Sequence, residues 1–111
     1  MSTSETYRDP TTCMRAVLQN GAVAIDPGDW INVEGYEKKT IEIIISGTAT
    51  VQIFVSNTPT KPANNVDHVQ YGNNVSSSAL AEIKVPVRWL KAKISALTPG
   101  ASVSAYMQGC P

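Results

Sequence analysis

The single histidine limits the acid–base chemistry available to this chain. His68 lies in the stretch VDHVQYG beside Asp67. Neighbouring residues on a strand point to opposite faces, so Asp67 is not placed to orient the imidazole. The sequence has no GxSxG motif and no second histidine to act as a base for one of its serines. We therefore expect His68 to be a structural or surface residue, and we expect the chain not to be an enzyme.

Carboxylates are a second group to consider, because a pair of them can hydrolyse a glycosidic bond. Asp26 and Asp29 fall in the turn DPGD, where aspartate commonly hydrogen-bonds its own backbone. A calcium site built from these two residues is conceivable, but their spacing matches no EF-hand loop. The chain has no glycine-rich phosphate loop and no closely spaced cysteine or histidine ligands for zinc. We expect neither a cofactor nor a metal.

Aromatic and basic side chains suggest binding rather than catalysis. Trp30 follows a turn and, with the tyrosines, is a candidate platform for a sugar, so a carbohydrate-binding module is one alternative. Trp89 shares the parity of an apolar strand face and is expected in the core. A basic group is expected either to be solvated or to contact an acidic protein surface; its members are Lys84, Arg88, Lys91 and Lys93.

Length and charge exclude several classes of partner. The chain has 111 residues, the size of one domain, and its nine basic residues are matched by nine acidic ones. It therefore lacks the positive excess that nucleic acid or an anionic membrane would select. No apolar run is long enough for a transmembrane helix, and the start of the chain lacks the apolar centre of a secretory signal. We expect synthesis in the cytoplasm.

The two cysteines lie near opposite ends of the sequence. A sandwich can bring its first and last strands together, which would place Cys13 near Cys110. In a chain without a secretory signal, two cysteines are more often free buried thiols than a disulfide. We expect free thiols here.

Short apolar runs between turn residues predict the fold. Residues 1–12 are polar and are expected to form a flexible, extended N-terminal arm, followed by a single domain over residues 13–111. This domain has about nine strand-like runs, which is typical of an all-β, antiparallel β-sandwich of jelly-roll-like type. Asn20-Gly21 is expected to be a turn between two strands.

The phase of alternation changes late in the chain. Apolar residues occupy odd positions up to Trp89 and even positions from Leu90 onward. Such a slip indicates a bulge or a bend, and Pro86 cannot donate a ladder hydrogen bond in the same region. We expect two strands that meet at a corner around Pro86.

The stretch IEIIISGTATVQIFVS contains two alternating runs. If they pair as a hairpin, a three-residue loop from Ser46 to Thr48 keeps the core residues on one side, with Gly47 at positive φ. Ile44 and Phe54 are left on the opposite, polar face. The predicted core residues are Ile41, Ile43, Ile45, Ala49, Val51, Ile53 and Val55.

The order of these motifs resembles a known group of proteins. TATVQIFVSNTPT, a polar loop, and then VPVRWLKAKISALTPGASVSAYMQG are similar to the small β-sandwich proteins of tailed-bacteriophage virions. The resemblance covers roughly residues 40–109. It implies a virion structural protein, in the first place a capsid decoration or cement protein that is made in the host cytoplasm and located on the capsid surface. A tail or neck component, such as an adaptor or fibre-base protein, is the alternative.

The partners expected from this resemblance are the major capsid protein or other virion proteins, and further copies of the chain, with a trimer as one candidate order. Each copy would clamp more than one capsid subunit, and the arm would add a strand to a neighbouring chain. The candidate interface residues are Tyr7, Arg8, Trp30, Ile44 and Phe54.

Overall fold

The structure is a computed structural model that describes residues 12–111 as eight β-strands. The described residues contain no helix, and hence none that is long and apolar enough to cross a membrane. Tyr7, Arg8 and most of the predicted arm lie outside the described residues. The strands are β1 (Met14–Ala22), β2 (Ile31–Asn32), β3 (Lys38–Ser46), β4 (Ala49–Ser56), β5 (Val69–Gln70), β6 (Ala79–Ile83), β7 (Trp89–Leu97) and β8 (Ser102–Cys110).

The strands form two antiparallel four-stranded sheets. Sheet A has the order β1-β8-β3-β6, and sheet B has the order β2-β7-β4-β5. Each of the first four strands therefore pairs with one of the last four: β1 with β8, β2 with β7, β3 with β6 and β4 with β5. This is the arrangement of a jelly roll with two sheets of four strands. The predicted antiparallel β-sandwich is confirmed.

The core lies between the inner faces of the two sheets. Ile41 and Ile43 of β3 and Val103 of β8 are fully buried on the sheet A side, and Val51 and Ile94 are fully buried on the sheet B side. Burying each such side chain contributes about 1.5–3 kcal/mol. The seven predicted core residues of β3 and β4 are buried, except for Ile45, which is half-buried.

The two runs do not pair as the hairpin that the sequence analysis considered, because β3 and β4 belong to different sheets. Ile43 pairs with Ala105 and Ala79, and Val51 pairs with Ile94. The short connection at Gly47 crosses from one sheet to the other. Gly47 does have the predicted positive φ, at 84°, and a Cβ atom there would lie 2.9 Å from that of Ala101. Glycine is therefore favoured by both conformation and space.

The predicted turn at Asn20-Gly21 is a bulge inside β1. The register of β1 against β8 shifts between Val17 and Gln19, and again between Gln19 and Ala22. Gly21 has a φ of 59°, and its amide donates to Ser104 Oγ at 2.9 Å. A positive-φ glycine serves a bulge as well as a turn, so the dipeptide alone does not distinguish the two.

The predicted corner near Pro86 is confirmed. β6 ends at Ile83 in sheet A, and β7 begins at Trp89 in sheet B. The intervening residues carry the chain between the sheets, which accounts for the change in phase.

The cysteines form a disulfide and are not the free thiols that the sequence led us to expect. Cys13 and Cys110 are joined across a sequence separation of 97 residues. Pairing of β1 with β8 sets Met14 opposite Gly109, so the two cysteines meet at the next position along the strands. In the chain-entropy account, closing a loop of this length stabilises the fold by about 4–5 kcal/mol. The expectation of free thiols rested on the apparent lack of a secretory signal. That observation carries no information about whether the fold brings the two cysteines together.

A buried lysine lies on the inner side of sheet A. The Lys39 side chain is fully buried, and its Nζ donates to the carbonyl oxygens of Tyr36 at 2.6 Å and Val85 at 3.2 Å. Burial lowers the pKa of Lys39, and the charge of Glu37 opposes this shift. The ammonium group thus satisfies two carbonyls next to the corner between β6 and β7.

Candidate functional site

The outer face of sheet B is covered by the chain itself. Residues 57–68 connect β4 to β5 and are attached by two indole groups. Trp30 Nε1 donates to the carbonyl of Ala63 at 3.0 Å, and Trp89 Nε1 donates to that of Thr58 at 2.9 Å. Trp30 is only 2% exposed. We call residues 57–68 the covering loop.

A buried cation lies at the centre of the layer beneath this loop. Lys91 Nζ donates to Asp67 Oδ1 at 2.7 Å and to the carbonyl of Asn64 at 2.6 Å. Its side chain is 0% exposed, and Nζ lies 5.1 Å from the ring centroid of Trp30 and 5.6 Å from that of Phe54. Within the layer, aromatic faces and hydrogen-bond acceptors replace the water around this charge.

Asp67 joins the covering loop to two lysines of β7. Its second carboxylate oxygen accepts from Lys93 Nζ at 2.6 Å. Burial by itself would raise the pKa of Asp67, but the hydrogen bonds and charges of Lys91 and Lys93 outweigh it and hold the pKa below its ordinary value. The carboxylate therefore stays ionised and stabilises the closed loop.

This layer corrects several predictions. Phe54 faces outward from the sheet, as its parity indicates, but it is only 8% exposed beneath Lys91 and the loop. Like Trp30, Phe54 offers very little accessible surface to a partner in this structure. Trp89 is half-buried on the outer side of β7 and is not in the core between the sheets. His68 packs edge-on against Trp30, which fits the structural role expected of it.

The basic group is engaged within the chain, which weakens its interpretation as a surface for an acidic partner. Lys91 and Lys93 share Asp67, as described above. Arg88 contacts Glu34 at 3.4 Å. Lys84 contacts Glu82 at 3.6 Å in an exposed pair, a kind that contributes little stability.

The outer face of sheet A, in contrast, is not covered by any of the described residues. Opposed residues in antiparallel strands share a face, so the register aligns outward side chains in rows across the four strands. The upper row is Arg15, Gln108, Thr40 and Glu82; the lower row is Val17, Tyr106, Glu42 and Leu80.

The lower row is largely apolar and open to solvent. Val17 is 60% exposed, Leu80 is 69% exposed and Tyr106 is 38% exposed. A shallow groove of about 410 Å³ lies over the two rows. Ile44 is 44% exposed and pairs with Ser104. It lies on the same face, two residues after Glu42 on β3. We call the two rows and Ile44 the sheet A patch.

Charged groups flank the apolar part of the patch. Among residues 12–111, neither Arg15 nor Glu42 takes part in an ion pair. The described part of the chain also has no group of three or more histidine, cysteine, aspartate or glutamate side chains able to hold a metal ion. The patch therefore offers apolar contact area and free charges, which suit recognition of another macromolecular surface.

Of the three predicted interface residues that the structure describes, Ile44 alone lies in this patch. Val17, Leu80 and Tyr106 were missed by the sequence analysis. Each has an outward parity on its own strand, and that signal was available. Their alignment in one row depends on the register between four strands, which parity does not provide.

Comparison with known proteins adds information about the fold. No family model matches the chain, and no curated protein matches it. Among solved structures, the chain is similar to the SPBc2 prophage-derived protein YomS, with a TM-score of 0.57 and 11% sequence identity. The match covers 88% of this chain and 92% of that chain. At this identity the likeness concerns the fold alone: a prophage-derived protein has a similar fold over almost the whole chain.

Proposed function

We propose that this chain is a non-enzymatic structural protein of a phage virion and that it assembles through the sheet A patch. The observation that carries the proposal is the exposed row formed by Val17, Tyr106 and Leu80 on the one sheet face that the described residues leave open. The likeness to a prophage-derived protein and the order of the sequence motifs support the phage context.

The energetics of the patch favour assembly. Removing an aliphatic or aromatic side chain from water stabilises a complex by about 1.5–3 kcal/mol when its burial is complete. Val17 and Leu80 are more than half exposed, so most of this free energy is still to be gained in the single chain. A protein that binds only an assembled shell stabilises that shell by mass action. Capsid decoration is the role that uses such a surface most directly.

A tail or neck component is the second candidate, since it would use an apolar patch in the same way. The carbohydrate-binding alternative depended on Trp30 as a platform for a sugar. In the structure Trp30 is buried and its indole N–H donates to the carbonyl of Ala63, so this support is removed. Copy number separates the two virion roles. Decoration requires copies in the hundreds for each particle, whereas a tail or neck ring requires roughly six or twelve.

The test is quantitative mass spectrometry of phage particles purified from cells that carry the gene. Decoration predicts hundreds of copies of the chain in each particle, and a tail or neck role predicts roughly six or twelve. Absence of the chain from purified particles would overturn the proposal.

A matched pair of variants tests the face that is used. Leu80→Asp places a charge in the patch, and Val69→Asp places the same charge at a residue of similar exposure, 63%, on sheet B. We expect Leu80→Asp to be lost from particles and Val69→Asp to be retained. Equal retention of both would show that the patch is not the assembly surface.

A further inference from the structure

We infer that the partner on the sheet A patch is a second copy of this chain, related by a two-fold axis that runs parallel to the strands. The inference rests on the proposed function in one respect: it takes the same face as the assembly surface. It differs from the trimer that the sequence resemblance suggested, and it can be tested in solution without any particle.

The geometry of this axis determines which strands meet. Two sheets that pack face to face keep their strand directions within about 30° of each other. A two-fold axis along the strands reverses the strand order of the second copy across the interface. Each row then faces the same row of the second copy. The edge strand β1 then faces β6 of the second copy, and the central strand β8 faces β3 of the second copy.

With this orientation the lower row is complementary to itself. Val17 lies against Leu80 of the second copy, so the two exposed aliphatic side chains cover each other. Tyr106 lies against Glu42 of the second copy, and its phenol can donate to a carboxylate that has no ion pair within residues 12–111. Each contact occurs twice because of the symmetry.

The upper row is complementary in charge. Arg15 lies against Glu82 of the second copy, and Gln108 lies against Thr40 of the second copy. Arg15 and Glu82 are unable to pair within one chain, because β1 and β6 are three strand spacings apart, about 14 Å. The only ion pair of Glu82 among the described residues is its exposed contact with Lys84.

The other in-plane axis gives a poor match. A two-fold axis across the strands keeps the strand order and exchanges the rows. Arg15 would then lie against Val17 of the second copy, and Glu82 would lie against Leu80 of the second copy. Covering a charged group with an apolar side chain costs free energy. The patch is therefore complementary to itself about a two-fold axis along the strands, and not about one across the strands.

The dimensions of the face suit a dimer of modest affinity. Strands lie about 4.8 Å apart; three of the four have nine residues and span roughly 31 Å at about 3.4 Å each, and β6, with five residues, spans roughly 17 Å. The projected area is about 530 Å² for each copy, less than the roughly 800 Å² of a standard stable interface. We expect a reversible dimer whose population depends on protein concentration.

Charge exchange between β1 and β6 tests the arrangement. Arg15→Glu puts two acidic residues face to face, and Glu82→Arg puts two basic residues face to face. The double variant, Arg15→Glu with Glu82→Arg, restores opposite charges across the axis. We expect each single variant to raise the dimer dissociation constant at least about tenfold and the double variant to return within about threefold of the original chain.

The dissociation constants are measured by sedimentation equilibrium on the full, disulfide-bonded chain. Lys61→Glu is the control, because Lys61 is exposed on the covering loop of sheet B and should leave the constant unchanged. Urea unfolding of each variant shows whether it remains folded.

Several outcomes would overturn the inference. The chain could stay monomeric at the highest concentration reached, or its mass could be that of a trimer. The single variants could leave the dimer dissociation constant unchanged, or the double variant could be folded and yet fail to recover the original constant. A monomer whose Leu80→Asp variant is lost from particles would contradict this inference and leave the proposed function standing. A dimer restored by charge exchange but absent from particles would contradict the proposed function alone.

Discussion

The outer faces of the two sheets differ in how their apolar side chains are covered. On sheet B, the covering loop closes over Trp30 and Phe54, and Lys91 and Asp67 join the loop to the sheet. On sheet A, Val17, Leu80 and Tyr106 remain in contact with water. The same jelly roll thus has one outer face that is completed by its own chain and one that the described residues leave open.

This difference separates residues that maintain the fold from residues available for assembly. A side chain on the outer face of sheet B already has intramolecular partners, so its replacement should change the free energy of unfolding. A side chain in the sheet A patch has few such partners, so its replacement should leave folding nearly unchanged. Unfolding measurements on matched variants therefore test the comparison directly.

The largest effect is expected for Trp30→Ala. It removes a buried indole and one attachment of the covering loop, and should lower the free energy of unfolding by about 3–5 kcal/mol. Urea denaturation provides the measurement. Tyr106→Ala is the control on sheet A, and it should cost much less because Tyr106 is partly exposed. Equal losses for the two variants would contradict the comparison.

Asp67→Ala should have the next largest effect, about 3 kcal/mol, because it leaves the buried Lys91 ammonium without its carboxylate. Adding Lys91→Met to this variant removes the unpaired charge and should recover most of the loss. Glu42→Ala, on sheet A, should change the free energy of unfolding by less than about 0.5 kcal/mol. Failure of Lys91→Met to recover stability would show that Lys91 is not destabilising when unpaired.

Acid should weaken the covering layer through the same carboxylate. The pKa of Asp67 is lower in the folded chain than its ordinary value of 3.8, so the unfolded chain binds the proton more readily. The stabilisation is fully present above 3.8 and is lost as the pH falls through the lower pKa of the folded state. The difference in free energy of unfolding between the original chain and Asp67→Asn should therefore stay constant from neutrality down to about pH 3.8 and narrow below that pH. A difference that stays constant below pH 3.8 as well would contradict the ionised pair.

Substitutions in the sheet A patch should have the smallest effect on folding. Leu80→Ser and Val17→Ser should each change the free energy of unfolding by about 0.5 kcal/mol or less, because both side chains are mostly exposed. The same urea series measures them. A loss above about 2 kcal/mol would show that the patch supports the fold of the single chain.

Parity along strands predicted much of the fold. It identified the inward residues of β3 and β4, and the change of phase predicted the corner at Pro86. Parity does not identify the partner of a strand, however. Ile43 and Val51 fill the core whether their strands pair in one sheet or pack from two, so the predicted core residues were right although the strands do not form a hairpin.

The candidate site was less predictable because it depends on contacts between distant segments. Phe54 has outward parity and Trp30 follows a turn, but segments that are distant in the sequence cover both: Trp30 is bound to Ala63, and Phe54 lies beneath Lys91. The row that contains Val17 and Leu80 arises only when β1 and β6 become the two edges of one sheet. Outward parity identifies candidates, and tertiary structure decides which of them remain exposed.

Hydroxyl-radical footprinting of the chain, free at low concentration and in its assembled state, tests the central claim most directly. Tyr106 reports on the open face of sheet A, and Trp30 reports on the closed face of sheet B. We predict that Trp30 is protected in both states and that Tyr106 is oxidised in the free chain but protected on assembly. Equal oxidation of Tyr106 in both states would contradict the assignment of the sheet A patch as the assembly surface.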